Sequence, residues 1–419
     1  MRRSYHLAAD SLLVLAFLCA CQSCKKPYQP TISGGPTNYL VVEGEINSGS
    51  DSTFITLSRT VRLSANAQAS IETNATVSIE SIQHILYPLT EIRPGTYACA
   101  GLNLDETQQY RLDIKTSDSK QYESDYVPVT DSPPIDSVSF DANGGKVSGQ
   151  GVNLYVSTHD PSKKVQYFRW DYIETWEFDS YAESFYKSNG DTVLPRDMVN
   201  DEIYQCWKSD TASSIILGNT ARLSKSVVVN QPVNFVNYQS EKLSVEYSIL
   251  VRQYALTADA YNFYSILKSN TEQIGSIFDV QPSELQGNIH CVSNPQVPVI
   301  GYICVGNVAT KRIFIPQNQL PFWIAVTFYT QDNCQILQDV DPGNPKEPCC
   351  YYFTYNRFNN GLNQVDAYIN YDIGQDQYYL IPTNAVIAPG GIIVGYGANE
   401  PECIDCTLRG TNKPPSFWQ

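Results

Sequence analysis

The chain is short of positive charge, of methionine and of long apolar runs. It has 28 Lys and Arg against 43 Asp and Glu, a net charge of −15. Such a balance argues against nucleic acid and against an anionic lipid surface as partners of the folded body, because like charges repel. No stretch reaches the roughly 20 apolar residues that a spanning helix needs. Methionine is nearly absent, at two residues, while tyrosine reaches 29. A Tyr-, Thr-, Ser- and Val-rich, Lys-poor chain suits β-structure with aqueous faces. The usual catalytic frames are also missing. After the first few residues the histidines are His84, His159 and His290, and none stands in an HExxH pattern. No GxSxG occurs, Ser265-x-x-Lys268 recurs by chance in helices, and Asp339-x-Asp341-x-Gly343 lacks the rest of a calcium loop. No cofactor, metal site or catalytic residue is therefore assigned, and the chain reads as non-enzymatic.

What is present begins with Met1-Arg2-Arg3 and the apolar run Leu12–Cys21. A positive start, a short apolar core and a small-residue cleavage zone form an export signal. Leu18-Cys19-Ala20-Cys21 fits a lipobox, with Cys21 as the lipid-bearing residue of the mature protein and Cys24 as the alternative. Two or more acyl chains give stable anchoring. Residues 1–21 are thus read as signal and lipobox, and the Pro/Gly/Ser-rich residues 22–38 as a tether. Twelve cysteines in an exported chain point to an oxidising compartment.

Short strands bounded by turn residues follow: Tyr39–Ile46, Thr53–Arg59, Ala75–Ile79, Gly95–Cys99 and Gln109–Thr116. Their spacing predicts an Ig-like β-sandwich over residues 39–127. Val127–Pro134 reads as a linker, since bracketing prolines weaken a ladder. A larger β-rich domain, 135–419, comes next. Phe168, Trp170 and Tyr172 alternate with charged residues as in a half-buried strand, and Glu241–Leu256 is a second strong strand. One helix is expected near 258–274. Thr257 caps it, Ala260, Phe263, Tyr264 and Leu267 form its stripe, and Gly275 ends it. Asn288–Val292 and Val299–Val305 read as a hairpin, and the last hundred residues as a Cys- and Pro-rich irregular region. The fold class is therefore mainly β, a sandwich followed by a larger β-rich domain with one helix.

Several constellations invite a functional reading. Cys403 and Cys406 stand in a CxxC, but Pro401, Gly410, Pro414 and Pro415 leave no helix to activate a redox thiol. Together with the vicinal Cys349 and Cys350 they are expected in disulfides. Cys291 and Cys304 would face each other across the proposed hairpin and are expected to bond. Glu174 and Arg252 both fall on a parity assigned to a buried face. Buried charges need partners, so they are expected to pair with each other as a structural ion pair. Residues 167–186 hold nine aromatics in twenty positions. Tyr181, Phe185 and Tyr186 lie in its more polar continuation and are the candidates for a surface that contacts a ligand or partner.

The order of these segments resembles a known family. Cys24-Lys-Lys-Pro-Tyr, Tyr39-Leu-Val-Val-Glu-Gly, Thr56-Leu-Ser-Arg-Thr60 and Tyr247-Ser-Ile-Leu-Val-Arg-Gln-Tyr254 are followed by Ile274-Gly-Ser-Ile-Phe278 and the Cys-Ile-Asp-Cys near the end. Together they look like the domain-of-unknown-function 4249 lipoproteins of Bacteroidota. The resemblance implies an outer-membrane lipoprotein encoded beside a TonB-dependent transporter, and it implies no reaction. The expected role is therefore a non-enzymatic accessory lipoprotein, held at the membrane by its N-terminal lipid and helping a TonB-dependent transporter to capture or admit a ligand. The alternatives are a structural or adhesive envelope protein and a hydrolase with an unrecognised site. The Gln22-Ser23-Cys24-Lys25-Lys26 run leaves the leaflet open, because surface export in these bacteria is associated with acidic residues at that place.

Overall fold

The computed structural model describes residues 38–61, 70–142, 150–188, 193–272, 285–321, 323, 334, 372–373, 376–377, 381–388 and 390–418. The fold is mainly β with one long helix. In the first unit Leu40–Asn47, Thr53–Arg59, Thr76–Ser81, Thr96–Cys99 and Gln109–Lys115 form strands close to those expected. Each turns one apolar parity inward. Leu40, Val42, Ile55, Leu57, Val77 and Ile79 are nearly fully buried, which removes the apolar parity from water and drives the sandwich together. A strand that the alternation rule misses, Leu86–Arg93, joins the two leaves by pairing with Thr76–Ser81 on one side and Thr96–Cys99 on the other. Of its residues only Leu89 is buried, so it carries no inside–outside pattern to read.

The expected hairpin at 288–305 does not form. Ile289–Cys291 instead pairs with Gln121–Ser124, and Val299–Ile300 and Val305–Gly306 lie parallel to Leu40–Asn47. Both halves thus complete the edges of the first sandwich. The linker is also more ordered than its prolines suggest. Val127–Pro128 pairs with Gln109–Tyr110, a ladder end where a missing N–H costs little. Beyond it the Thr130 N–H donates to the Val305 carbonyl at 2.8 Å, and the Ser132 N–H donates to the Asn307 side chain at 2.7 Å.

The second unit is another sandwich. One sheet runs Ile135–Asp141, Gly151–Asp160, Ser226–Asn237. The other runs Gln205–Thr211, Tyr167–Asp179, Glu246–Leu256, Val308–Pro316, with Ile216–Asn219 on the same edge of Tyr167–Asp179 as Gln205–Thr211. Phe168, Trp170, Val152, Leu154, Ile249 and Val251 fill the space between the sheets. At its heart the fully buried Gln253 accepts from Trp170 Nε1 at 2.9 Å and donates to the Pro133 carbonyl at 2.7 Å. A buried carboxamide with its donors and acceptor engaged ties the linker to the core without a desolvation penalty.

The helix spans Ala258–Glu272, and the Thr257 hydroxyl accepts from the Ala260 N–H at 3.2 Å as an N-cap. Ala260 and Phe263 are buried as the stripe requires. Tyr264 packs at the junction of the two units, where Arg169 lies over the rings of Tyr254 and Tyr264 at 4.2 and 4.9 Å and pairs with Glu45 of the first sandwich. Burial pushes the Glu45 carboxyl up despite Arg169 beside it.

At the far end of the second unit the chain terminus is tied down covalently. Cys206 bonds Cys406 and Cys334 bonds Cys403. Trp418 packs against Trp207 and Phe314, and its Nε1 donates to Glu177 at 3.1 Å.

Candidate functional site

An open cleft of about 880 Å³ lies where the helix crosses the mouth of the second sandwich. Three layers build it. Tyr172 and Asn153 come from the two facing sheets, Gln231 to Phe235 from the edge strand, and Tyr261, Ser265 and Lys268 from the helix. The helix presents these last three because they recur at i, i+4 and i+7, one stripe over from its core-facing residues. Ile216 and Leu217 add an apolar wall.

Phe235 owes its position to a glycine. Gly151 sits near Asn237 in the strand register, and a Cβ there would approach the Phe235 ring to 2.7 Å. With glycine in place the ring lies against the backbone and stays 37% exposed. Tyr261 rests on Tyr167, with ring centroids 5.0 Å apart.

The polar groups fall into two sets. Asn234 is fully engaged: it donates to Glu174 and to the Tyr247 hydroxyl, both at 3.2 Å, while its carbonyl accepts from the Phe235 N–H at 2.8 Å. Lys268 donates to the Ile215 carbonyl and pairs with Glu272 at 3.1 Å. Ser265 donates to the Tyr261 carbonyl at 2.8 Å. A serine hydroxyl and a lysine so engaged are not arranged as nucleophile and base. Tyr172, by contrast, is 8% exposed, and its hydroxyl is unbonded among the described residues without being one of their buried unpaired atoms, so it is accessible from the cleft. Burial, with Glu174 and Asp210 nearby, pushes this phenol up to about 12, so it stays a neutral donor at any ordinary pH.

Glu174 lies beneath this floor, 4% exposed. It does not pair with Arg252. Glu174 stands opposite Ile249, and Asp171 opposite Arg252. Positions 171 and 174 differ by an odd number, so they face opposite sides of the sheet. Glu174 takes Lys242 and the Tyr247 hydroxyl, the latter at 2.9 Å, and Arg252 takes Asp171 on the outer face. The requirement for a partner was right and the partner was wrong.

The other expected residues divide as follows. Cys291 and Cys304 are free and buried, not bonded to each other, because their segments join different strands of the first sandwich. Cys403 and Cys406 are both in disulfides, each with a distant cysteine. Tyr181 and Phe185 are exposed at 43% and 46%, and Tyr186 packs edge-on against Tyr396 at 4.9 Å. They lie near the disulfide-tied end, where the Tyr181 N–H donates to the Cys403 carbonyl, and they do not line the cleft. Cys21, Cys24, Cys349 and Cys350 lie outside the described residues. The cleft itself was not anticipated. Its one legible signal was the Tyr261-Ser265-Lys268 stripe, masked by the stronger apolar stripe beside it.

No cluster of His, Cys, Asp or Glu suited to a metal occurs among the described residues. No described helix is long and apolar enough to cross a membrane. A family model described as a domain of unknown function, DUF4249, matches residues 25–312. The match covers more than half of the chain, and the chain belongs to this family. Every residue of the cleft falls inside the matched span, whereas the disulfide-tied terminal segment lies beyond it. No curated protein matches the chain.

Proposed function

We propose that this is a non-enzymatic, lipid-anchored protein of the outer membrane that captures a ligand for a TonB-dependent transporter. The observation that carries the reading is the cleft of about 880 Å³, framed by aromatic rings and side-chain amides. Concave sites of roughly 300–1,000 Å³ with a few convergent polar groups are the usual form of small-molecule binding sites. The engaged Ser265 and Lys268 favour binding over group transfer. The Leu18–Cys21 lipobox supports anchoring, and the family resemblance supports the location and the transporter. The exposed Tyr181 and Phe185 offer a separate surface on which such a partner docks.

A structural or adhesive envelope role is the second reading. It draws on the two sandwiches joined through the Glu45–Arg169 pair, an arrangement that suits a spacer. The two are separated by purification from native membranes after mild cross-linking, with identification of the partners. Ligand capture for a transporter predicts recovery of an outer-membrane barrel protein. Repeated recovery of the lipoprotein without any barrel contradicts it.

A further inference from the structure

We infer that the ligand of this cleft is a neutral oligosaccharide, bound between the Phe235 and Tyr261 rings and the hydroxyl of Tyr172. This assignment rests on the ligand-capture reading and specifies its substrate class.

The first argument is charge. Among the described residues no carboxylate lines the cleft, and the one cation there, Lys268, is neutralised by Glu272 at 3.1 Å and held by the Ile215 carbonyl. A charged ligand would enter without a counter-charge and lose its hydration for no return, a costly exchange. An anion would also meet a body of net charge −15. The class that remains is uncharged.

The second argument is the form of the polar groups. Tyr172, a residue of the cleft lining, is more than nine-tenths buried, and its hydroxyl has no hydrogen bond among the described residues and is not one of their buried unpaired atoms, so it is open to the cleft. A hydroxyl that reaches the cleft from an otherwise packed side chain, with no described residue bonded to it, is free to bond a ligand atom there. Asn153 also brings an amide with no hydrogen bond to another described side chain, so both a donor and an acceptor face the same space. Such groups match hydroxyls, which donate and accept at once.

The third argument is shape. The Phe235 ring lies against Gly151 and remains 37% exposed, and Tyr261, packed on Tyr167, lines the same cleft. Rings fixed by packing give apolar area at little entropic cost. They suit the C–H faces of sugar rings, whose edges carry the hydroxyls. The volume leaves room for more than one sugar unit.

The test is isothermal titration of the full chain with a panel of neutral linear hexasaccharides built from glucose, xylose, mannose and N-acetylglucosamine. Hexagalacturonate serves as the charged control and a pool of uncharged tetrapeptides as the chemical alternative. The expected result is saturable binding of at least one neutral glycan, insensitive to salt, with no binding of hexagalacturonate. Phe235→Ala is expected to weaken it by about 3- to 10-fold, the equivalent of one aromatic contact. Tyr172→Phe, which keeps the packed ring and hence the melting temperature, is expected to weaken it by about 5- to 10-fold. Glycan binding that is unchanged in both variants, or absent from wild type, overturns the assignment. Peptide binding that is lost in Phe235→Ala overturns the glycan class while leaving ligand capture standing. Failure of every probe, together with membranes that yield no barrel partner, removes the capture reading as well.

Discussion

Replacing Arg169 by methionine tests whether the two sandwiches are held together as described. Arg169 pairs with Glu45 across the junction, lies 3.8 Å from Asp171, and covers the rings of Tyr254 and Tyr264. Its side chain is 18% exposed and that of Glu45 15%. Breaking a buried pair by removing one partner costs about 3–5 kcal/mol, since the remaining charge is left without compensation. The partial exposure of both side chains places Arg169→Met near 3 kcal/mol on that scale. Glu45→Met together with Arg169→Met leaves no orphan charge and adds apolar burial, so the double variant should lose no more than about 1 kcal/mol. A pH signature accompanies the single variant. Glu45 already has a raised pKa, and removing Arg169 takes away its main lowering neighbour. A carboxyl with a raised folded pKa contributes stability below its unfolded value, about 4.3, and loses it as pH rises through the folded value. The deficit of Arg169→Met should therefore shrink from pH 7.5 to pH 5. Guanidinium denaturation of the four chains of the cycle, without reductant, measures all of this. A single-variant loss below about 1 kcal/mol, a deficit equal at both pH values, or simple additivity in the double variant refutes the reasoning.

Three further outcomes follow from the same structure. Asp179 is pushed up to about 6, first by burial and then by Glu177, so its contribution is present below the unfolded pKa and lost as pH climbs through 6. After discounting for its partial exposure this amounts to about 1 kcal/mol, and Asp179→Asn should flatten that part of the stability–pH curve measured by denaturation between pH 4 and 7.5. Cys406→Ser opens the bond to Cys206, which spans a sequence separation of 200, and should lower stability by about 2–5 kcal/mol. Hydrogen exchange in that variant should show faster exchange over residues 401–418, and unchanged exchange there would contradict the tail's dependence on the bond. Cys291 and Cys304 should resist alkylation in the native protein and react on unfolding without reductant, as peptide mass mapping would show, because both are free and buried.

Much of the architecture was legible because it rests on local rules. Alternation located Thr53–Arg59 and Gln109–Lys115, and a capping threonine with a helical stripe located the helix. What failed depends on pairing across the fold. The partner of Glu174 follows from strand register, which brings Ile249 rather than Arg252 opposite it. The cysteine pairs join positions 200 and 69 residues apart, distances over which spacing carries no information. Leu86–Arg93 was missed because a strand that joins two leaves has no single buried face. Tyr172 was read as core. It is indeed largely buried, and only the packing around it shows that it also belongs to the cleft lining. The candidate site was thus nearly invisible in sequence, since it is assembled from two sheets and a helix.

The central claim is that this cleft holds a ligand. Native mass spectrometry of the full chain, after incubation with an extract of the medium in which the source cells grow, tests it without assuming a ligand class. Wild type should carry a small-molecule adduct that is absent from a Tyr261→Ala, Phe235→Ala chain of unchanged fold. Equal adducts on both chains, or none on wild type, would contradict the account.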